Sequence, residues 1–119
     1  MRDFRKIKVW QKAHQFTLSV YRSTEVFPTT ERYGLVAQLR RAALSVGAHI
    51  AEGCGRSGDA DFARFLIIAF GSASESEYPL LVALDLGYLK ETAHARLQRD
   101  IDEIKRMLSS FIKKLRAER

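Results

Sequence analysis

A glycine-rich segment is the first place in this sequence where residue types and spacing could do chemistry. The run Gly53-Cys54-Gly55-Arg56-Ser57-Gly58 matches the pattern G-x-G-x-x-G, whose glycines let a backbone approach the pyrophosphate of a dinucleotide. That mechanism needs a β-strand before the pattern and a helix that starts within it. Here helical periodicity precedes the glycines, and no alternation typical of strands is visible. We therefore interpret the segment as a connection between two helices.

Histidine, cysteine and carboxylate side chains are too scattered to predict a metal or catalytic site. His49 and Glu52 resemble half of one di-iron motif, but such sites need two Glu-x-x-His pairs and two further glutamates, and this pair is reversed. Cys54 has no base and orienting partner near it in sequence, so we interpret it as a small buried thiol. No P-loop, zinc spacing or paired carboxylates occur. We expect no enzymatic activity, no metal, no cofactor and no small-molecule substrate.

Positive charge gathers in the first and last segments of the chain. The net charge is +6, with +5 in residues 1–24, +4 in residues 88–119 and −4 in residues 59–87. Basic side chains on the solvent side of the first and last helices are candidate contacts for the phosphates of RNA or DNA. They are Arg5, Lys8, Lys12, Arg99, Arg106 and Lys113. An i,i+4 pair of Asp102 with Arg106 is expected to weaken the second group. The alternative is that these charges only solvate the surface.

Composition indicates one ordinary domain covering residues 1–119. Hydrophobic residues make up 46% of the chain, and no apolar run approaches the ~20 residues that a membrane span needs. The charged first residues lead directly into a helical pattern without a secretory leader. The single cysteine cannot form an internal disulfide, which fits a reducing compartment. The sequence predicts a cytoplasmic protein with no membrane partner.

Four helices must position these side chains. The apolar periodicity predicts them at about 8–24, from a cap at Thr29 or Thr30 to about 53, from a cap at Asp59 to about 86, and from a cap at Thr92 onward. Pro79 is expected to kink the third helix. In the fourth helix the a/d spacing of a left-handed bundle is followed by Leu97, Ile101, Ile104, Leu108, Phe111 and Leu115. Short connections predict an all-α, antiparallel up-down-up-down four-helix bundle.

The third helix has a second apolar face opposite its core stripe. Ile68, Gly71, Val82 and Leu86 lie on this face, and a helix that is apolar all round must be covered on both sides. Either a kink at Pro79 lets one core absorb both stripes, or the second face is an interface between subunits. We favour the interface.

The second helix also has a line of residues suited to subunit packing. Arg41, Ser45, Ala48 and Glu52 lie away from its core stripe and combine small side chains with charges. We expect the charged residues Arg41, Glu52, Arg56 and Glu75 to form a polar network at helix or subunit contacts.

Several motifs resemble the 23S rRNA intervening-sequence protein family of bacterial four-helix bundles. They are Val9-Trp10-Gln11-Lys12-Ala13, Phe27-Pro28 with Glu31, Tyr33-Gly34-Leu35, Gln38-Leu39-Arg40-Arg41-Ala42-Ala43, Ile50-Ala51-Glu52-Gly53 with Arg56, and Phe65-Leu66 followed by Ala69, Gly71-Ser72 and Glu75. The sequence departs from the family where Gly47 and His49 stand in place of its usual proline and asparagine.

The resemblance implies that the bundles assemble into a homo-oligomeric ring, a pentamer. It also implies similarity to the basic ring-shaped accessory proteins of diversity-generating retroelements, which bind nucleic acid. The leading hypothesis is therefore an oligomeric bundle that binds RNA or DNA and is linked to rRNA. The alternative is a structural or adaptor ring whose partner is another protein.

Overall fold

The computed structural model describes residues 2–117, which form four α-helices and two short 3₁₀ turns. The helices are α1 Lys8–Thr24, α2 Leu35–Cys54, α3 Asp59–Asp85 and α4 Glu91–Ala117. The 3₁₀ turns are Phe4–Lys6 and Thr29–Glu31. Each helix packs against the next one along the chain, and α1 packs against α4. The predicted all-α four-helix bundle is confirmed, and no strand occurs in residues 2–117.

The first helix has the bounds that the sequence predicts. Val9, Ala13, Phe16 and Val20 are buried, at the spacing of three and four residues that places side chains on one helical face. Burial of this face against the other helices stabilises α1, because an isolated helix of this length is marginal in water.

The second helix begins later than predicted. Thr29 and Thr30 belong to a separate 3₁₀ turn, and α2 starts only at Leu35, so the predicted cap at these threonines is wrong. Pro28 holds an extended backbone before the turn, with ψ of 141°. The carboxylate of Glu31 then accepts a hydrogen bond from the Leu35 amide at 3.2 Å. One orphan donor of the helix N-terminus is thus satisfied from four residues upstream.

Two glycines with positive φ bound the third helix. Gly58 precedes it with φ of 89° and Gly87 follows it with φ of 78°, a backbone region that other residues rarely adopt. Asp59 and Thr92 were expected as caps outside their helices, but Asp59 is the first residue of α3 and Thr92 lies in the first turn of α4. The predicted end of α3 is correct to within one residue.

The core draws on all four helices. Phe16, Leu39, Ile50, Phe62, Leu66, Leu97 and Leu108 are among its fully buried side chains. At the far end of α4 the buried position belongs to Ile112, where the spacing predicted Phe111. Phe111 packs instead on the edge of the core, with its ring 5.3 Å from that of Phe62 at 85°.

Trp10 packs at the edge of the core, as predicted. Its ring is half-buried and lies between Phe4, 4.8 Å away, and His14, 5.0 Å away. A Cβ placed on Gly47 of α2 would be 3.5 Å from the indole nitrogen, which is ordinary contact. An alanine would therefore fit at this position without moving α1 or α2. In the described chain no helix is long and apolar enough to cross a membrane.

Candidate nucleic-acid interface

The first and last helices lie side by side, which brings the two basic segments of the sequence together. Lys12 Nζ on α1 is 3.2 Å from Glu103 Oε2 on α4. An open groove of about 630 Å³ runs between these helices, and its lining includes Lys8, Gln15, Asp100 and Met107. The expected proximity of the two segments is confirmed.

Carboxylates offset much of the positive charge in this groove. Glu103 pairs with Lys12, and Asp100 lines the same groove. Burial raises the pKa of Asp100 and the neighbouring Glu103 raises it further, whereas Lys12, Arg96 and Arg99 lower it. Lys12 is therefore partly neutralised, and the groove is a weaker phosphate site than its sequence suggests.

The two other candidates in the first segment differ from each other. Asp3 accepts a hydrogen bond from the Arg5 amide at 3.1 Å and forms an ion pair of 3.5 Å with the Arg5 guanidinium. That guanidinium also lies 4.5 Å from the centroid of the Phe4 ring. Lys8 is exposed and makes no ion pair with any described residue. Of the three predicted contacts in this segment, Lys8 is the one that forms no ion pair with another described residue.

The outer row of α4, formed by Arg99, Arg106 and Lys113, is exposed along its whole length. The row spans about 21 Å at 1.5 Å per residue. The expected pair of Asp102 with Arg106 is not formed, because Asp102 accepts a hydrogen bond from Gln98 at 3.0 Å. Within residues 2–117 the row forms no ion pair with a carboxylate, although Asp100 is close enough to Arg99 for this cation to lower its pKa.

The net positive charge lies at one end of the bundle. Arg2 joins the first segment to the α2–α3 connection. Its backbone amide donates a hydrogen bond to the Cys54 carbonyl oxygen at 3.0 Å, and its guanidinium forms an ion pair of 3.3 Å with Asp59. The Phe62–Phe111 contact brings the end of α4 to the same place. We call residues 2–8, 52–64 and 110–117 the basic end. It holds nine lysines and arginines against four acidic residues, so it carries +5 of the chain's +6.

The opposite end of the bundle is neutral. Residues 22–34 and 85–96 hold four basic and four acidic side chains. Because the helices alternate in direction, each of the two segments with a net positive charge, residues 1–24 and 88–119, runs from one end of the bundle to the other. The charge asymmetry therefore runs along the bundle axis, and this could not be seen from segment totals.

Five cations at the basic end form no ion pair within residues 2–117. Arg2, Arg5, Arg56 and Arg64 are engaged by local carboxylates. The cations that form no ion pair with another described residue are all exposed, and they are Lys6, Lys8, Lys113, Lys114 and Arg116. Sequence reasoning missed Lys6, Lys114 and Arg116 because it sought rows on single helices rather than residues gathered at one end.

The expected polar network is only partly formed within one chain. Arg56 donates to Glu52 at 2.8 Å and lies 4.0 Å from Asp61. Arg41 and Glu75 are exposed and have no hydrogen bond or ion pair with the rest of the described chain. The network thus consists of one surface pair and its neighbour, while the role of Arg41 and Glu75 at a subunit contact stays a prediction.

The second apolar face of α3 remains exposed. The exposed fraction of Ile68 is 38%, and Val82 is half-buried on the same side. Exposed apolar residues continue along the helix at Tyr78 and Leu86. The alternative in which one core absorbs both stripes is therefore wrong. Beside this face, Ser45 of α2 and Ser72 of α3 share a hydrogen bond of 2.9 Å, which holds the two helices in close contact.

The histidine and the cysteine of α2 are both held within the fold. His49 Nδ1 lies 2.8 Å from the Ser45 carbonyl oxygen and 3.0 Å from the Ser45 hydroxyl, so the ring is held by its own helix. Cys54 is buried, as predicted, and burial raises the pKa of its thiol. Raising the pKa lowers the thiolate fraction and makes the thiol less reactive. No cluster of potential metal ligands occurs in residues 2–117.

Comparison with known proteins identifies the family. The family model described as 23S rRNA-intervening sequence protein matches residues 5–110. The chain belongs to this family. A crystal structure from Bacteroides thetaiotaomicron, described as a protein with unknown function from the S23 ribosomal protein family, is similar to this chain. The two share 28% sequence identity and superpose with a TM-score of 0.77, covering 88% of this chain and 98% of that one. No curated protein matches the sequence.

Proposed function

We propose that this member of the 23S rRNA-intervening sequence protein family is a non-enzymatic, homo-oligomeric bundle that binds nucleic acid through its basic end and the outer row of α4. The observation that carries the proposal is the concentration of +5 of the net charge at one end, where five exposed cations have no partner among residues 2–117. Exposed lysines and arginines without carboxylates nearby attract phosphates, because binding releases counterions from the nucleic acid.

Contacts of this kind position a nucleic acid without reading its sequence. Phosphate contacts fix orientation, whereas base contacts in a groove give specificity. Arg99, Arg106 and Lys113 are long flexible side chains on one exposed helix face, and the carboxylates of the α1–α4 groove stand beside them. We therefore expect broad binding. The rRNA link in the family's name makes structured RNA the first ligand to test.

Oligomerisation would multiply these contacts. The exposed apolar face of α3 supports an interface between subunits, and the family resemblance points to a pentameric ring. Cyclic symmetry places equivalent residues of all subunits at one level along the ring axis. The basic ends would then form a repeated set of weak sites, whose combined avidity exceeds that of a single chain.

Fluorescence anisotropy with labelled structured RNA and duplex DNA tests the proposal. The basic-end variant Lys113→Gln, Lys114→Gln, Arg116→Gln should weaken binding to every ligand. The outer-row variant Arg99→Gln, Arg106→Gln, Lys113→Gln should do the same. For the unmodified protein, log affinity should fall linearly with log salt, with a slope of about −0.9 per phosphate contacted on duplex DNA.

A matched control separates location from total charge. Arg22→Gln, Arg32→Gln, Lys90→Gln removes the same number of exposed cations from the neutral end. This variant should bind nearly as well as the unmodified protein. If the neutral-end variant loses as much affinity as the basic-end variant, the result argues against a localised site. If the unmodified protein binds neither ligand even at ~50 mM salt, where phosphate contacts are strongest, the protein-adaptor function replaces this proposal.

A further inference from the structure

A cleft between α3 and α4 combines an apolar floor with a basic rim. It has a volume of about 260 Å³ and is lined by Ile67, Phe70, Ser109, Ile112, Lys113 and Arg116. Its α4 side reaches residues 110–117, so the cleft opens onto the basic end. Among residues 2–117, no carboxylate belongs to its lining. The cleft thus offers an apolar surface, one hydroxyl and two cations in one place.

One carboxylate on the side of α3 that faces α4 is already engaged. Glu77 Oε2 lies 2.9 Å from Lys105 Nζ, and its other oxygen accepts a hydrogen bond from Gln98 at 2.8 Å. Lys105 Nζ is also 5.1 Å from the centroid of the Phe70 ring, so one cation of the protein already lies beside the aromatic floor. Lys113 and Arg116 are both exposed and form no ion pair within residues 2–117, so their charge is left for a ligand.

The chemistry of the cleft selects a ligand that has an apolar planar group next to an anion. In a duplex the faces of the bases are stacked inside, and side chains meet mainly phosphates and sugars. An unpaired nucleotide, in contrast, exposes a base face that packs on aromatic and apolar side chains while its phosphate meets lysine or arginine. The match to the cleft is therefore with single-stranded nucleic acid rather than with duplex.

We propose that the α3–α4 cleft takes one unpaired base of a single-stranded nucleic acid, with the adjoining phosphates on Lys113 and Arg116. This inference rests on the proposed function and makes it more specific. The base packs against Ile67 and Phe70, and the Ser109 hydroxyl faces its edge as a hydrogen-bonding group. Because every base has an apolar face, the cleft selects unpaired structure and not a particular sequence.

Filling the cleft tests the inference. Ser109→Phe places a ring in the cleft, whereas Ala95→Phe puts the same ring on an exposed α4 position at the neutral end, which does not line it. Binding is measured with a single-stranded oligonucleotide containing 2-aminopurine and with a duplex of the same length. Ser109→Phe should weaken single-strand binding about tenfold, within the range for loss of one stacked base, and should abolish the fluorescence change of 2-aminopurine. Ser109→Phe should leave duplex affinity unchanged, and Ala95→Phe should leave both affinities unchanged.

A second pair of variants guards against misfolding of Ser109→Phe. Ile67→Gln makes the floor polar, and Leu81→Gln makes the same change on α3 outside the cleft, where the exposed fraction is 43% against 42% for Ile67. Only Ile67→Gln should lower single-strand affinity. Equal binding of single strand and duplex, unaffected by either cleft variant, overturns the inference and leaves the proposed function standing. A change of assembled mass in the cleft variants without a change in strand preference assigns the cleft to a second copy of the chain and also overturns it. If the unmodified protein binds neither the single strand nor the duplex, both proposals are overturned.

Discussion

Lys12 and Glu103 form an ion pair of 3.2 Å that joins α1 to α4 across an open groove. Both side chains are nearly half exposed, so water screens the pair and its contribution to folding stability is at most about 1 kcal/mol. Its larger effect is on the binding of anions. The pair hides one cation of the first helix from any anion that approaches the groove.

Removing the carboxylate of this pair should strengthen nucleic-acid binding. Glu103→Gln frees Lys12 and deletes one negative charge beside Lys8, so affinity should rise and the salt dependence of log affinity should steepen by about one phosphate contact. Anisotropy titrations across a range of salt concentrations measure both quantities. Glu91→Gln, which makes the same charge change in the first turn of α4, is the control. Equal gains for the two variants would show that only total charge matters.

The exposed face of α3 should mediate assembly. Light scattering at micromolar concentration should give a mass several times the chain's 13.6 kDa, since burial of apolar surface drives association. Ile68→Asp or Val82→Asp should dissociate the assembly without loss of helical circular dichroism. Val26→Asp, at a side chain that is 83% exposed in the α1–α2 connection, should leave the mass unchanged. An unmodified protein that is monomeric at this concentration contradicts the prediction.

The stability contribution of the Glu52–Arg56 pair should show whether the interface between subunits buries this pair. In the single chain both side chains are about half exposed, and an i,i+4 pair of this kind is worth about 0.3–0.5 kcal/mol. If subunits bury the pair together with Arg41 and Glu75, removal of one partner costs about 3–5 kcal/mol. Thermal melts of Glu52→Ala and Arg56→Ala should therefore show a large loss in the assembled protein and almost none in the Ile68→Asp background. Equally small losses in both backgrounds would place the pair outside the interface.

Two helical glycines should respond in opposite ways to alanine. A Cβ on Gly53 would lie 2.8 Å from the Phe65 Cβ and 3.0 Å from a Phe62 ring atom, whereas a Cβ on Gly71 would meet nothing within 4 Å. Gly53→Ala should destabilise the fold by about 1–3 kcal/mol through overpacking. Gly71→Ala should raise the free energy of unfolding by about 0.5–1 kcal/mol, because alanine has the higher helix propensity. Urea unfolding in the Ile68→Asp background measures the fold alone, and two losses of equal size would refute the argument.

The helices could be predicted from sequence because burial in this fold follows one periodicity. Lys8–Thr24 has its predicted bounds, and the buried thiol at Cys54 is confirmed. The start of α2 could not be predicted, because it depends on the Glu31 side chain reaching the Leu35 amide rather than on a threonine cap. The pairing of Lys12 with Glu103 could not be predicted either. These residues are 91 positions apart in the chain, and only the packing of α1 on α4 brings them together. The basic end could not be predicted from the net charges of sequence segments, because it depends on the direction in which each helix runs.

The single tryptophan is placed where it can act as an intrinsic fluorescence probe of the basic end. Trp10 stacks on His14 with an angle of 8° between the rings, and its other neighbour, Phe4, belongs to the 3₁₀ turn that also holds Arg5 and Lys6. Because Arg5 and Lys6 directly follow Phe4 in the chain, we expect an anion bound to them to change the surroundings of the indole. The emission of unlabelled protein should therefore respond to occupation of the basic end, with no dye attached to the surface where binding takes place.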